Sequence, residues 1–279
     1  MFKRKDFVVR LTVLIGLLLT MGVQAQDPGN VGRFLNYERP LIIAHRGASS
    51  LAPENTLAAV QKALDLKVDV VEIDVHRSSD GELVVLHDAT LDRTTTGSGP
   101  VKQYSLEEVK SFDAGSWFSP SFVEERIPTL REVLEKTKDQ ATLLIELKGE
   151  RTEVRTVELV KELGMTDQVI IQSFDFLQIQ KAKQKAPEIP TVFLVKEPKH
   201  KEDPAQAALW MCNIADYVGA SGIAVRHNLL TPELLELARE RSLAVFVWTV
   251  DQQKDMKKFI KLGVQGIITN KPQDLKKLL

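Results

Sequence analysis

Residues 70–76 read Val70-Val71-Glu72-Ile73-Asp74-Val75-His76, a β-branched run in which two carboxylates stand two positions apart. Side chains of a strand alternate between its faces, so Glu72, Asp74 and His76 share one side while Val71, Ile73 and Val75 share the other. A second run, from Thr142 to Lys148, repeats the beat with Glu146 and Lys148. Each pair can converge on one charged ligand. His45, in His45-Arg46-Gly47, and His87, in His87-Asp88, bracket the first run. Acid, base, metal ligands and phosphate clamp thus all have candidates within about half of the chain.

Comparable apolar runs lie near Leu41 to His45, Val169 to Ser173, Thr191 to Leu194, Tyr217 to Val225, Ala244 to Trp248 and Gly266 to Thr269. Helical patterns separate them, near Thr56 to Leu66, Glu153 to Leu163, Phe176 to Ala186, Asp203 to Cys212, Thr231 to Arg241, Gln252 to Leu262 and Pro272 to Leu279. Eight strands alternating with helices predict an α/β fold, a closed parallel (β/α)8 TIM barrel rather than an open doubly wound sheet. Thr231-Pro232-Glu233 supplies an N-cap, a first-turn proline and an acid near the positive end of the helix dipole. Residues 77–141 break the rhythm, with turn signals at Ser79-Asp80-Gly81 and Gly97-Ser98-Gly99-Pro100. A short strand near Leu83 to Leu86 and helices near Ser105 to Phe112 and Leu130 to Thr137 fall inside that interval. It is read as a subdomain inserted after the second strand on the barrel's functional rim.

The 279 residues are 43% hydrophobic and 27% charged, enough to bury a core. Lys and Arg number 37 against 38 Asp and Glu, so no global basic field invites nucleic acid. Residues 1–25 read as an export signal: Lys3, Arg4, Lys5 and Arg10 precede the apolar stretch Leu11 to Val23 and the small-x-small pattern Val23-Gln24-Ala25. The expectation is a mature chain of residues 26–279, periplasmic or secreted, with no stable membrane insertion after cleavage. Cys212 is the only cysteine, which excludes an intrachain disulfide and argues against Cys-ligated zinc. Its Ala-, Leu- and Trp-rich surroundings predict buried packing.

In a parallel barrel the C-terminal ends of all strands open on one face, and His45, Glu72, Asp74, Glu146, Lys148 and Trp248 each fall at such an end. Glu72, Asp74 and Glu146 offer only oxygen donors, which suits one hard divalent cation, Mg²⁺ or Ca²⁺. Arg46 and Lys148 are complementary phosphate clamps, and histidines that titrate near neutrality can serve as base and acid. Together these suit phosphodiester cleavage. Phe174 and Trp248 are candidates for an apolar wall of the same pocket. Trp117 and Phe118 are expected to anchor the insertion's own small core.

The ordered set His45-Arg46-Gly47, Pro53-Glu54-Asn55-Thr56, Glu72-x-Asp74, Val84 to Asp88, Asp92-Arg93-Thr94-Thr95, Ile127-Pro128-Thr129-Leu130, Glu146-x-Lys148, Ser173-Phe174 and Trp248-Thr249-Val250 resembles the glycerophosphodiester phosphodiesterase family. The resemblance runs over essentially the whole chain after the signal. It implies a barrel with an inserted subdomain that hydrolyses a small-molecule glycerophosphodiester to glycerol 3-phosphate and an alcohol with a divalent cation. Carried over by position, Glu72, Asp74 and Glu146 match the metal ligands and His45 and His87 the acid and base pair. Arg46 and Lys148 match the phosphate contacts, and Glu54 and Asn55 the loop that shapes the site. The attacking oxygen is either water or the substrate's glycerol 2-hydroxyl. Asp251 stands where the family often has Asn, a change expected to alter a rim hydrogen bond only. Two rivals remain: a phospholipase D-like or lysophospholipid-cleaving specificity, and a barrel that binds phosphate compounds without turnover.

Overall fold

The computed structural model describes residues 38–279; the segment read as an export signal lies outside them. Eight parallel strands close on themselves: β1 (Leu41–Ala44), β2 (Val70–Arg77), β4 (Thr142–Leu147), β5 (Val169–Ser173), β6 (Thr191–Val195), β7 (Gly222–Arg226), β8 (Ala244–Trp248) and β9 (Gly266–Thr269). The barrel closes where β1 pairs with both β2 and β9. The remaining strand, β3 (Leu83–Val85), runs antiparallel to the last three residues of β2, Val75 to Arg77. These chains read as buried runs because both faces of the sheet are covered. One parity fills the barrel interior with Leu41, Ile43, Val70, Leu144, Ile170, Val192, Leu194, Ala224, Phe246 and Ile268. The other parity, with Ile42, Val71, Ile73, Ile145, Ile171, Val225 and Val247, packs outward against the helices.

The helices are α1 (Leu57–Asp65), α2 (Leu106–Ser111), α3 (Leu130–Thr137), α4 (Glu153–Glu162), α5 (Phe176–Lys185), α6 (Pro204–Val218), α7 (Pro232–Glu240), α8 (Gln253–Leu262) and α9 (Pro272–Lys276). Local chemistry sets several starts. Thr56, Ser105, Thr129 and Thr231 each accept a first-turn amide with their hydroxyl, and Ser105 and Thr129 complete capping boxes with Glu108 and Glu132. The apolar run from Tyr217 divides differently from the expected strand. Residues 213–218 continue α6, Gly219 caps it at φ +70°, and β7 begins only at Gly222. Ala208, Met211, Cys212, Ala215 and Val218 recur at helical spacing toward the core, whereas Tyr217 is 70% exposed, so the period there is helical. Cys212 is buried on this face, as its surroundings implied.

The interval after β2 also divides in two. Leu130, Val133 and Leu134 of α3 join the main core between barrel and helices, with α3 beside α1 and α4. This helix is therefore the crossover between β2 and β4, and the added material precedes it. That material has its own core of Val84, Leu86, Leu91, Val101, Val109, Ala114 and Ile127, closed by Tyr104, Leu106 and Phe112. Trp117 and Phe118 are not in it. Trp117 is 42% exposed and stacks edge-on with Phe118, which meets Phe122 in the same way. Apolar character alone did not distinguish these rings from Tyr104 and Phe112, which the local turns point inward.

Candidate active site

Toward and just beyond the C-terminal ends of the strands the interior parity continues, and there it carries mostly polar residues. β1 leads to His45, β2 carries Glu72 and Asp74 in its inward row, β4 carries Glu146 and leads to Lys148, and β5 carries Gln172 and leads to Phe174. Six of these, His45, Glu72, Glu146, Lys148, Gln172 and Phe174, line one cavity of about 300 Å³, together with Arg46, His87 and Trp248. Parallel register sets Asp74 directly beside Glu146. Ligand oxygens of Glu72, Asp74 and Glu146 all lie within 4.8 Å of one another, and the three residues are buried.

Arg46 turns the chain at the end of β1 in a left-handed conformation (φ +56°), followed by Gly47 at φ +78°. A Cβ at Gly47 would lie 2.7 Å from the Ala59 carbonyl carbon, so the turn requires glycine. This turn aims the Arg46 amide at Glu72 Oε2 (2.8 Å), while Gln172 Nε2 donates to Oε1 (3.2 Å). The Arg46 guanidinium donates to Glu54 (2.8 Å) and lies 3.5 Å from Asp74. Lys148 Nζ is 2.8 Å from Glu146 and 3.5 Å from Asp74. Three buried carboxylates thus face two cations. The imbalance appears in their proton affinities: burial and the neighbouring carboxylates push Glu72 well above the carboxylate range and Glu146 up to about 7. Against the same burial, Lys148 and Arg46 hold Asp74 below its ordinary value. Asp74 Oδ1 has no hydrogen-bond partner among the described residues. An all-oxygen set with surplus negative charge and an unmet buried acceptor fits a hard divalent cation.

The two histidines are held differently. His45 Nδ1 donates to Asn270 Oδ1 (2.7 Å), which leaves Nε2 with the lone pair at the cavity. Burial, with Arg46 adding to it, pushes this imidazole down to about 4, so His45 is neutral at physiological pH. Asn270 is fixed in turn by Asp251, whose two oxygens accept from the Asn270 side-chain amide (2.7 Å), its backbone N–H (2.9 Å) and Thr269 Oγ1 (3.0 Å). Asp251 is therefore the anchor of the His45 orientation, and the expectation of a mere rim hydrogen bond is corrected. His87 Nδ1 donates to Asp88 (2.6 Å), and Nε2 accepts from Lys148 Nζ (3.0 Å). Arg93 locks Asp88 (2.7 Å) to Glu54 (2.8 and 3.0 Å), tying the inserted segment to the loop after β1.

Asn55, matched to the loop that shapes and binds at the site, is buried and uses both ends of its amide on Asp74, accepting from the backbone N–H (3.2 Å) and donating to Oδ2 (2.9 Å). Glu54 clamps Arg46 and Arg93, and both residues shape the site from behind. Phe174 and Trp248 meet edge-on at 5.6 Å on the cavity wall, and Lys148 Nζ lies 5.6 Å from the Phe174 ring centre. His76, which shares the Glu72 parity, is occupied with the His87 carbonyl (3.1 Å). Residue-level reading missed Gln172, Asn270 and the relay through Asp251. The signal was available for the first two: each lies two positions along the chain from an inward-facing residue, Ile170 or Ile268.

Fold and site define a hydrolase of phosphate esters that works with a divalent metal site at the mouth of a TIM barrel. The chain belongs to the glycerophosphoryl diester phosphodiesterase family, whose model matches residues 45–274, and it is a phosphodiesterase acting on glycerophosphodiesters. It is 39% identical to the glycerophosphodiester phosphodiesterase of Caldanaerobacter subterraneus subsp. tengcongensis, over 85% of this chain and 96% of that protein. It is 36% identical to a Bacillus subtilis glycerophosphodiester phosphodiesterase over 96% of each. Among solved structures, an Oleispira antarctica phosphodiesterase in complex with the product sn-glycerol-3-phosphate superimposes with a TM-score of 0.78 at 30% identity, over 86% of this chain and 96% of that one.

Proposed function

We propose that the protein hydrolyses glycerophosphodiesters to glycerol 3-phosphate and an alcohol, with His45 and His87 as base and acid. The observation that carries this reading is the neutral His45 lone pair facing a cavity lined by Glu72 and Glu146, which with Asp74 form the buried carboxylate cluster. Glu72, Asp74 and Glu146 hold one divalent cation, Mg²⁺ or Ca²⁺. When bound it neutralises phosphoryl charge as a Lewis acid. Arg46 and Lys148 add positive charge at the phosphoryl oxygens, in a site where buried surroundings strengthen each interaction.

His45 Nε2 removes the proton from the attacking oxygen, because Asn270 and Asp251 keep its own proton on Nδ1. On the other side, Lys148 turns from His87 to a phosphoryl oxygen, and His87 carries a proton on Nε2 for the departing alkoxide. Asp88 supports the resulting imidazolium through Nδ1. The base before the acid is our assignment. The basic and apolar order of residues 1–25 supports export to the periplasm or medium, and no described helix is long and apolar enough to cross a membrane. Release of glycerol 3-phosphate from a panel of diesters, with chelator and after adding back Mg²⁺ or Ca²⁺, tests the activity. Full turnover in excess chelator would refute the metal-dependent reading. Mass spectrometry of the protein from an exporting host, with a chain beginning at Gln26, tests the address.

A further inference from the structure

We propose that the cavity wall made by β6 and β7 is a second anion subsite, in which Lys196 and Arg226 take a negatively charged group on the departing alcohol. The proposal rests on hydrolysis at the carboxylate cluster and names the substrate class that cluster serves. Lys196 follows Leu194 by two residues and Arg226 follows Ala224 by two, so both continue the inward parity of their strands. Both line the catalytic cavity. In the strand order β7 stands across the barrel from β2, which places these cations opposite Glu72 and Asp74 rather than among them.

Neither side chain has a hydrogen bond or ion pair within the described residues, although most basic residues near the site do. The neighbouring carboxylate, Glu197, is paired with Lys201 at 2.6 Å, and Arg226 and Lys196 reach it only as weaker, longer-range charges. The Arg226 guanidinium instead lies 5.6 Å from the Trp248 ring centre, a contact that keeps the charge at the cavity wall. Meanwhile the phosphoryl group already has Arg46 and Lys148. Two further positive charges are surplus to the cleaved diester, and the glycerol half of the substrate is uncharged. The partner they fit is therefore an anion on the other substituent, a carboxylate or a phosphate, with the alcohol's carbon chain against Leu194 and Trp248.

The test compares four glycerophosphodiesters whose alcohols have similar length and end in a hydroxyl, a carboxylate, a phosphate monoester or a trimethylammonium group. For the wild type, kcat/KM should favour an anionic alcohol over the hydroxyl one by about five- to tenfold at low salt, and the preference should shrink as ionic strength rises. Whichever of carboxylate and phosphate leads identifies the natural source. Lys196→Gln with Arg226→Gln should collapse the anionic-to-neutral ratio toward one, and Lys196→Glu with Arg226→Glu should invert it in favour of the trimethylammonium substrate. Equal ratios in wild type and both double variants would overturn the subsite while leaving the phosphodiesterase reading intact. No hydrolysis of any of the four would remove that reading, and the subsite with it.

Discussion

Replacing Glu146 by Gln should stabilise the metal-free protein while abolishing hydrolysis. Burial and the charge of Asp74 raise the Glu146 carboxyl from 4.5 to about 7 in the folded chain. An acid that binds its proton more tightly when folded loses it first in the unfolded chain, so stability falls as pH rises from the unfolded value to the folded one and is level above. The difference corresponds to about 3 kcal/mol at pH 8. Gln removes that cost, and loss of the Lys148 ion pair at 2.8 Å offsets part of the gain, leaving roughly 1–3 kcal/mol. For a barrel of this size the melting point should rise by roughly 2–10 °C. Thermal melts in chelator at pH 8 and pH 5 measure it: the variant should melt above wild type at pH 8, with the gap narrowing at pH 5. Adding Mg²⁺ or Ca²⁺ should raise the wild type and not the variant. A variant that melts at or below wild type in chelator at pH 8 would refute the claim that repulsion in this cluster is unrelieved without a cation.

His87→Ala should be severely impaired on a diester with a glycerol or choline leaving group and much less on a nitrophenyl diester, since general acid catalysis is typically worth ~10²–10⁴-fold only where the alkoxide needs a proton; equal loss on both substrates would count against His87 as the acid. Asp251→Ala should lower kcat by roughly 10- to 100-fold with KM little changed, because Asp251 acts on His45 only through Asn270. Asn270→Ala should match it, and the double variant should be no worse than either alone, whereas additive losses would mean the relay is not a unit. Gly47→Ala should cost at least about 2 kcal/mol in denaturant unfolding, since its φ of +78° is combined with a 2.7 Å approach to Ala59. Gly99→Ala, at the same φ with open space around it, is the control and should cost less.

The two-residue beats in Val70 to His76 and Thr142 to Lys148, repeated over eight short apolar runs, were enough to read a parallel barrel and to place Glu72, Asp74 and Glu146 at its mouth. Strand parity is a local property, so the sequence by itself determines which residues face inward once the strands are recognised. Where the period was ambiguous, at Tyr217 to Val225, packing decided: helical spacing buried Cys212, Ala215 and Val218, and Gly219 ended the helix before β7 could start. The partners of each inward residue were not legible in the same way. Asn270 meets His45 across 225 positions and Gln172 meets Glu72 across 100, distances over which no local periodicity carries information. The family resemblance marks Asn55 as a site residue, yet only the folded chain turns it toward Asp74. Barrel closure, which brings β9 beside β1, creates the Asp251, Asn270 and His45 relay, and barrel diameter sets Lys196 and Arg226 across from the carboxylates. Identity and facing followed from side-chain alternation along single strands, while pairing and charge balance required the strands to be brought together.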